Sequence, residues 1–171
     1  VDCFEVANAE EGAELRRAGI DAEIIVYGLP IPDEYGLLID NRLFPFVADA
    51  AGIDALHGAA RLRGVRLPVH LKIDTGMGRI GCSPGDAPEL AARIAESTHL
   101  SLAGTCTHFA NADGADPAFT EGQIDKFDSA VEAVRARGID PGIRHAANSG
   151  AVIGHPRAHY DMVRPGIMLY G

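Results

Sequence analysis

The segment from His70 to Gly81, HLKIDTGMGRIG, combines a strand-like run with a glycine-rich loop that carries one arginine. The glycines begin where the run breaks, at Thr75. In α/β proteins, a strand that ends in such a loop presents a binding or catalytic edge. Glycines let the backbone approach a ligand closely, and Arg79 supplies a permanent charge with a rigid fork of donors. We therefore expect an anion-binding or catalytic site here.

The glycines of this loop also match a dinucleotide-binding fingerprint, because Gly76, Gly78 and Gly81 fit G-x-G-x-x-G. That fingerprint requires a helix to begin within the glycines, so that its N-terminus holds the pyrophosphate. Here the third glycine is followed by Cys-Ser-Pro-Gly, which predicts more loop. No predicted strand ends in an acidic residue about 20 residues further on, so the sequence disfavours a dinucleotide site.

Polar residues follow two further predicted strands. His108 comes directly after an apolar run and precedes a polar loop, so it is either a residue of the functional rim or a structural histidine. Asn148 and Ser149 follow another run and begin a predicted helix. Small polar residues in that position form either an anion site or a helix N-cap, and the sequence leaves both open.

Arg164 ends the last predicted strand and is followed by Pro-Gly-Ile. Because proline has no N–H, the next backbone donors are the amides of Gly166 and Ile167. Barrel enzymes frequently hold a phosphate in the loops after their last two strands, and Ser149 with these two amides would form such a cradle. Arg164 would then either contact the ligand or pair with a buried carboxylate.

Strands and helices alternate along the whole chain with short connections, which predicts parallel strands covered by helices. We predict helices near 9–18, 33–39, 50–62, 87–97 and 117–137. We predict about seven strands, near residues 1–6, 24–27, 43–47, 70–74, 100–107, 143–147 and 161–164, with Pro45 weakening the third. An open doubly wound sheet would gather its site at one switch point, whereas a barrel draws on many strands. The candidate residues lie at many strand ends, so we predict an α/β fold of the (β/α)8 TIM-barrel type, incomplete by one strand.

Composition limits the partners and the compartment. The 171 residues suggest one domain, and the net charge of −9 argues against a nucleic-acid partner. No apolar run reaches the roughly 18 residues of a membrane span, so we expect no membrane partner. Three cysteines without a pattern are typical of reduced thiols in a cytoplasmic protein. The chain begins without methionine and ends on an apolar run, so we expect a fragment of a longer protein.

Four segments together resemble the N-terminal barrel domain of alanine racemase, a fold-type III pyridoxal-phosphate enzyme. They are HLKIDTGMGRIG (70–81), THFANAD (107–113), HAANSGA (145–151) and DMVRPGIMLYG (161–171). The resemblance runs from the second barrel strand to just past the eighth. It implies that residues 1–171 are a partial cofactor-binding barrel domain, without the first strand and the C-terminal β domain.

The resemblance also implies how pyridoxal 5'-phosphate is held. Arg164 matches the arginine that faces the pyridine nitrogen, and His108 matches the histidine packed against the pyridine ring. The residues that match the phosphate ligands are Ser149, Gly166 and Ile167, with Asn148 beside them.

Two more residues receive roles from the resemblance. Arg79 matches the arginine near the phenolic oxygen of the cofactor and the carboxylate of the substrate. Lys72 matches a lysine that is often carbamylated in this family and that steadies the arginine. The alternative for Lys72 is an unmodified strand lysine paired with Asp74.

The activity implied is interconversion of L-alanine and D-alanine, which supplies D-alanine for peptidoglycan, by a cytoplasmic homodimer of the full-length protein. The resemblance puts no catalytic residue in this chain: the Schiff-base lysine precedes Val1, and the opposite-face tyrosine comes from the partner subunit's C-terminal domain. Neither Lys72 nor Lys126 has the context to replace that lysine, and Tyr170 is not that tyrosine. We therefore expect the isolated chain to be inactive.

Three other functions remain open from the sequence. One is another fold-type III racemase, acting on serine or on many amino acids. The second is a non-catalytic pyridoxal-phosphate barrel, although such proteins lack the GMGRIG and RPGIMLYG patterns. The third is a metal-dependent hydrolase, because His155 and His159 are four residues apart. Pro156 makes a helix there doubtful and no acidic cluster joins the pair, so we expect surface histidines and no metal.

Overall fold

The computed structural model describes residues 2–171, which form an α/β fold around one six-stranded parallel sheet. The strand order in the sheet follows the chain order, and every pair of neighbours is parallel. The strands are β1 (Cys3–Val6), β2 (Glu23–Val26), β3 (Phe44–Val47), β4 (Leu67–Lys72), β5 (Leu100–Cys106) and β6 (Ile143–His145). The helices are α1 (Ala9–Arg17), α2 (Tyr35–Asp40), α3 (Ala50–Arg63), α4 (Ala87–Ala95), α5 (Ala118–Ala136), α6 (Ser149–Gly154) and α7 (Ile167–Tyr170), with 3₁₀ turns at Pro32–Glu34 and Pro156–His159.

Side-chain caps begin three of the helices, α1, α3 and α6. Asn8 caps α1, since its side-chain oxygen accepts a hydrogen bond from the N–H of Glu11 at 2.9 Å. Asp49 caps α3 by accepting from the N–H of Gly52 at 2.7 Å. Such caps satisfy N–H groups that the first helical turn leaves without partners.

No helix within residues 2–171 is both long enough and apolar enough to cross a membrane.

Each strand sends alternate side chains to opposite faces of the sheet. On β4, Val69 and Leu71 are fully buried in the apolar core between the sheet and the helices. His70 and Lys72 face the other way, toward the aromatic rings of β3. The sheet therefore has an outer face covered by helices and an inner face that carries polar groups.

The sheet is curled into part of a barrel. Glu5 lies on β1 and Arg164 lies beyond β6, at opposite edges of the sheet, yet their side chains approach to 3.5 Å. Tyr27, just after β2, likewise packs edge-on against His108, just after β5, with 5.6 Å between the ring centroids. A flat sheet would keep these pairs far apart, so the inner face encloses a common space.

The prediction of seven strands is wrong for residues 2–171, where six form. Residues 161–164 run beside β6 but make only one bridge, between His145 and Met162. The Asp161 carboxylate accepts hydrogen bonds from the backbone N–H of Arg144 at 2.8 Å and from its guanidinium. The backbone N–H of Arg144, which a regular ladder would pair with a backbone carbonyl oxygen, is therefore bound to the side chain of Asp161. The predicted first strand becomes β1, and Val1 lies outside the described residues.

Candidate functional site

Candidate residues from separate strands meet at the carboxyl ends of the inner face. A cleft there is lined by Tyr27, Lys72, Arg79 and His108. Arg164 lies beside it, with Nη2 3.4 Å from His108 Nδ1. The predicted gathering of side chains at the barrel rim is therefore present, although Tyr27 was missed.

Arg164 is held by hydrogen bonds to backbone carbonyl groups just after β5 and β6. Its side chain is 5% exposed. Nη2 donates to the carbonyl oxygens of Thr107 at 2.7 Å and Ala146 at 3.1 Å. Of the two alternatives for this arginine, the carboxylate pairing is present only as the long contact with Glu5. Its Nε is buried and has no hydrogen-bond partner, so one strong donor is left available.

A histidine pair connects Arg164 to the centre of the inner face. Arg164 Nη1 lies 3.2 Å from His145 Nδ1, and His145 Nε2 lies 2.9 Å from His70 Nδ1. Because a guanidinium only donates, His145 must accept at Nδ1 and carry its proton at Nε2. It then donates to His70, whose own Nε2 proton is buried without an acceptor.

Burial and the neighbouring arginine keep these imidazoles neutral. Burial, followed by the charge of Arg164, lowers the pKa of His70 to about 4. The same two causes lower the pKa of His145 well below its usual range. Burial and the cations Arg164, Lys72 and Arg79 lower the pKa of His108 to about 3. A neutral His108 presents an uncharged ring to whatever occupies the cleft.

Lys72 is a fully buried lysine whose Nζ has no hydrogen-bond partner. Its Nζ lies 5.3 Å from the ring centroids of both Tyr27 and Phe46. Burial lowers the pKa of Lys72 to about 8, so an appreciable fraction is an uncharged, nucleophilic amine near neutral pH. The alternative pairing of Lys72 with Asp74 is wrong, because the carboxylate of Asp74 faces the glycine loop instead.

The glycine-rich loop is closed on its own carboxylate. Asp74 accepts hydrogen bonds from the N–H groups of Gly76 at 2.9 Å, Met77 at 2.8 Å and Gly78 at 2.8 Å. Although burial raises the pKa of Asp74, these amides together hold it below its usual range. A Cβ on Gly81 would meet the backbone of Asp74, so the loop folds back tightly. Three of the loop amides are therefore already satisfied by Asp74.

Arg79 projects from this loop to the mouth of the cleft and is exposed. Its Nη2 donates to the hydroxyl of Tyr27, and its Cζ lies 5.3 Å from the centroid of the same ring. Tyr27 escaped notice in the sequence because it reads as the last residue of an apolar strand. Its position could have revealed it: Tyr27 is two residues after Ile25 on the same predicted strand, so both side chains point to the inner face.

A cradle of small donors lies beside Arg164. Ser149 Oγ accepts from the N–H of Gly166 at 3.0 Å and from the N–H of Met168 at 3.3 Å. The structure thus brings Gly166 to Ser149 as expected, with the amide of Met168, rather than that of Ile167, as the second donor to the hydroxyl. Asn148 caps α6 by accepting from the N–H of Ala151 at 3.1 Å.

His155 and His159 do not form a metal pair. His155 is buried, and its Nδ1 lies 2.8 Å from Glu121 Oε1. His159 Nε2 lies 3.0 Å from the carbonyl oxygen of Val152. The expectation of a surface position is therefore wrong for His155. No group of three or more potential ligand side chains suited to a metal ion occurs within residues 2–171.

Comparison with known proteins gives matches over the whole chain. Residues 1–171 match the family model described as alanine racemase, N-terminal domain. The chain is 45% identical to the alanine racemase of Treponema denticola, over 100% of this chain and 46% of the relative. It is 38% identical to that of Methanococcus maripaludis, over 99% of this chain and 46% of the relative. The chain thus spans about half the length of the curated relatives it matches.

Solved structures agree with the sequence matches. The alanine racemase of Clostridium difficile 630 in complex with cycloserine has a TM-score of 0.96 at 32% identity, over 100% of this chain and 47% of that chain. The alanine racemase of Bacillus anthracis with bound L-Ala-P has a TM-score of 0.89 at 30% identity, over 98% of this chain and 43% of that chain. The curled sheet therefore matches an incomplete (β/α)8 barrel, as the sequence predicts.

Proposed function

Because this chain belongs to the alanine racemase N-terminal domain family, we propose that it forms the cofactor-binding barrel of an enzyme that interconverts L-alanine and D-alanine. The proposed product, D-alanine, is a precursor of peptidoglycan. Since the chain spans about half of its relatives, the activity is proposed for the full-length protein that carries it. The domain assignment of residues 1–171 is part of this proposal.

The observation that carries the proposal is a set of three buried nitrogens without partners: His70 Nε2, Lys72 Nζ and Arg164 Nε. Within residues 2–171 these are the buried side-chain polar atoms that lack a hydrogen bond, and all three lie on the inner face. Buried polar groups are rarely left unpaired unless they serve a function. Arg164 Nε in particular suits a ligand with a neutral acceptor, as the pyridine nitrogen of pyridoxal 5'-phosphate is.

The cradle at Ser149 suits the phosphate of the same cofactor. The hydroxyl oxygen already accepts two amides, and within residues 2–171 Ser149 makes no donated hydrogen bond, so its proton is available to a phosphate oxygen. The amide of Ile167 would add a donor, with Asn148 fixing the turn from behind. His108, kept neutral, would pack against the pyridine ring.

When bound, pyridoxal phosphate supplies a sink for the electron pair left at Cα as the α-proton of alanine leaves. A guanidinium only donates hydrogen bonds, so Arg164 Nε would donate to the ring nitrogen of the cofactor, and that nitrogen would stay unprotonated. That pairing would make the cofactor a weaker electron sink and would leave more negative charge at Cα. We infer that Arg164 thereby favours return of the proton to Cα and suppresses transamination.

Arg79 and Lys72 serve the substrate side of the cleft in this proposal. Arg79, exposed at the mouth, is suited to receive a substrate carboxylate through its donor fork. Lys72, with a lowered pKa and a free Nζ, is suited to carbamylation by carbon dioxide, which requires an uncharged amine. A carbamate would give this buried site an anion that could steady Arg79.

Arg79 would recognise the carboxylate of any amino acid, so the side chains of this chain do not by themselves select alanine over serine. The names of the relatives favour alanine. The matches to alanine racemases extend over the full length of this chain, which likewise disfavours a non-catalytic barrel. The proposal includes a homodimer that supplies the opposite-face tyrosine, and a reducing cytoplasm, with which the unpaired Cys3, Cys82 and Cys106 agree.

The test uses the full-length protein. Added pyridoxal phosphate should give an absorbance band at about 420 nm, which the bound cofactor produces, together with racemisation of alanine. Arg164→Glu should raise the transamination rate relative to racemisation, and Arg157→Glu, on the outer surface, serves as the control. A protein that gives neither band nor racemisation contradicts the function, and an unchanged transamination rate contradicts the role of Arg164.

A further inference from the structure

Tyr27, which the sequence did not single out, contacts several residues of the candidate site. It follows β2 directly. Its backbone N–H donates to the carbonyl oxygen of Val6 at 2.8 Å, which fixes the backbone from which the side chain projects. Its half-buried ring packs against Phe46 with 5.6 Å between centroids. The phenol is therefore anchored at its base while its hydroxyl reaches the mouth of the cleft.

Arg79 depends on this phenol for its orientation. Within residues 2–171 the guanidinium makes one hydrogen bond, to the hydroxyl of Tyr27, and forms no salt bridge. An exposed arginine side chain has many rotamers, and ordering it has an entropic cost that some contact must offset. The ring face of Tyr27, 5.3 Å from Arg79 Cζ, provides a second contact of cation–π type.

The same ring lies close to two more of the residues that line the cleft. Lys72 Nζ lies 5.3 Å from its centroid, and His108 meets it edge-on at 82°. One side chain thus joins groups that come from β4, from the glycine loop and from the end of β5. No other side chain of residues 2–171 supplies a hydrogen bond to hold Arg79 in this place.

We propose that Tyr27 is a positioning residue, whose hydroxyl fixes the guanidinium of Arg79 at the mouth of the cleft so that it can receive a substrate carboxylate. The inference rests on the proposed function for the identity of that substrate. The hydroxyl accepts from Arg79 and, because burial raises the pKa of Tyr27 above its usual value, it keeps its own proton. Tyr27 therefore acts through Arg79 and exchanges no proton with the substrate.

The first test compares Tyr27→Phe with wild type in the full-length, cofactor-loaded protein. Loss of the hydroxyl should raise KM for alanine about tenfold, the effect of one hydrogen bond to a charged group, and leave kcat within about twofold. Tyr160→Phe is the matched control, since it removes a half-buried hydroxyl that bonds Asp128 at 2.8 Å, away from the cleft. A kcat loss as large as the KM change, or no change in either, overturns the proposal.

A double-variant cycle tests whether Tyr27 acts through Arg79. Arg79→Lys should itself raise KM, because a lysine lacks the fork that binds a carboxylate. Tyr27→Phe should then add little in the Arg79→Lys background. Additive effects of the two substitutions would overturn the proposal.

A third measurement needs no activity. Phenylglyoxal modification followed by peptide mass spectrometry should show Arg79 reacting several-fold faster in Tyr27→Phe, with Arg157 unchanged as an internal control. Equal rates at Arg79 overturn the positioning role whatever the kinetics show. A wild-type protein that fails to racemise alanine overturns the proposed function alone, since the Arg79 rates still decide the role of Tyr27.

Discussion

At the scale of single residues, the inner face concentrates positive charge in a place from which water is largely excluded. The guanidinium of Arg164 donates to two carbonyl oxygens at strand ends. Lys72 has no such acceptor, and the histidines around the two cations are held neutral. These buried charges without partners destabilise the fold, and a ligand or a modification that pairs with them would remove that cost. We therefore expect substitutions that remove the charges to stabilise the protein and to impair its function.

Lys72 offers the sharpest test of that opposition. Because a buried ammonium without partners destabilises the fold, Lys72→Met should raise the free energy of unfolding at pH 7 by about 1–3 kcal/mol, while impairing catalysis. Urea denaturation in buffer free of carbon dioxide measures the change. The gain should shrink as pH rises from about 8 toward 10.5, where the folded lysine is neutral and the unfolded one is still charged. A destabilised Lys72→Met variant would contradict this account.

The three neutral histidines predict loss of stability in mild acid. His70, His108 and His145 have folded pKa values below the usual 6.5, so below about pH 6.5 the unfolded chain binds more protons than the folded one. Stability should therefore fall on acidification from about pH 6.5 toward 4, by about 1–3 kcal/mol per pH unit. Denaturation curves across that range measure the slope. His70→Gln should reduce it, and an identical slope in that variant would refute the assignment.

The sequence identified the residues whose types stand out at strand ends. Lys72, Arg79, His108 and Arg164 do meet at one rim, although their roles toward a cofactor stay predictions. It missed Tyr27 and His145 because both read as ordinary interior residues of strands. Their importance depends on which groups lie across the curled sheet, and no local pattern contains that information.

At the scale of elements, one glycine makes the histidine pair fit. A Cβ on Gly104 of β5 would lie 2.5 Å from His70 Nδ1 and 2.6 Å from the carbonyl oxygen of Ile143. Gly104 therefore leaves the space that His70 occupies between neighbouring strands. The register shift in the β4–β5 ladder occurs beside it, at Val69 and His70.

Alanine substitutions at two glycines should have opposite effects. Gly104→Ala should destabilise the protein by about 1–3 kcal/mol or more, because the new methyl group meets His70 and backbone. Gly122→Ala, on α5 with nothing within 4 Å, should stabilise it by about 0.5–1 kcal/mol through helix propensity. Thermal or urea unfolding of both variants measures this. A tolerated Gly104→Ala would mean that His70 can move without loss.

Strand number shows where sequence patterns stop being informative. The run at 161–164 has the composition of a strand, and in the structure it lies beside β6. It forms a single bridge because Asp161 bonds the amide of Arg144 through its side chain. Conversely, Pro45 weakened a prediction that proved right, since β3 includes it. Competition between side-chain and ladder hydrogen bonds decides such cases, and it is not visible in composition.

At the scale of the whole molecule, the proposed site is shared between this chain and parts that the resemblance places elsewhere in the full-length protein. Barrel, cradle and cations lie here, whereas the two proton-transferring residues are assigned outside residues 1–171. We therefore expect the isolated chain to leave L-alanine unracemised and to bind pyridoxal phosphate weakly. Chiral analysis of alanine after incubation, and titration at about 420 nm, check both expectations. D-alanine formation by the isolated chain would refute them.

The outer margins of the sheet have a practical consequence. Within residues 2–171, β1 pairs with β2 alone, and the far side of β6 has one bridge. Backbone groups left open along a strand margin can recruit the same groups from another molecule. A preparation of the 171-residue chain by itself should consequently become turbid as it is concentrated, so its handling will be limited by solubility before any question of chemistry arises.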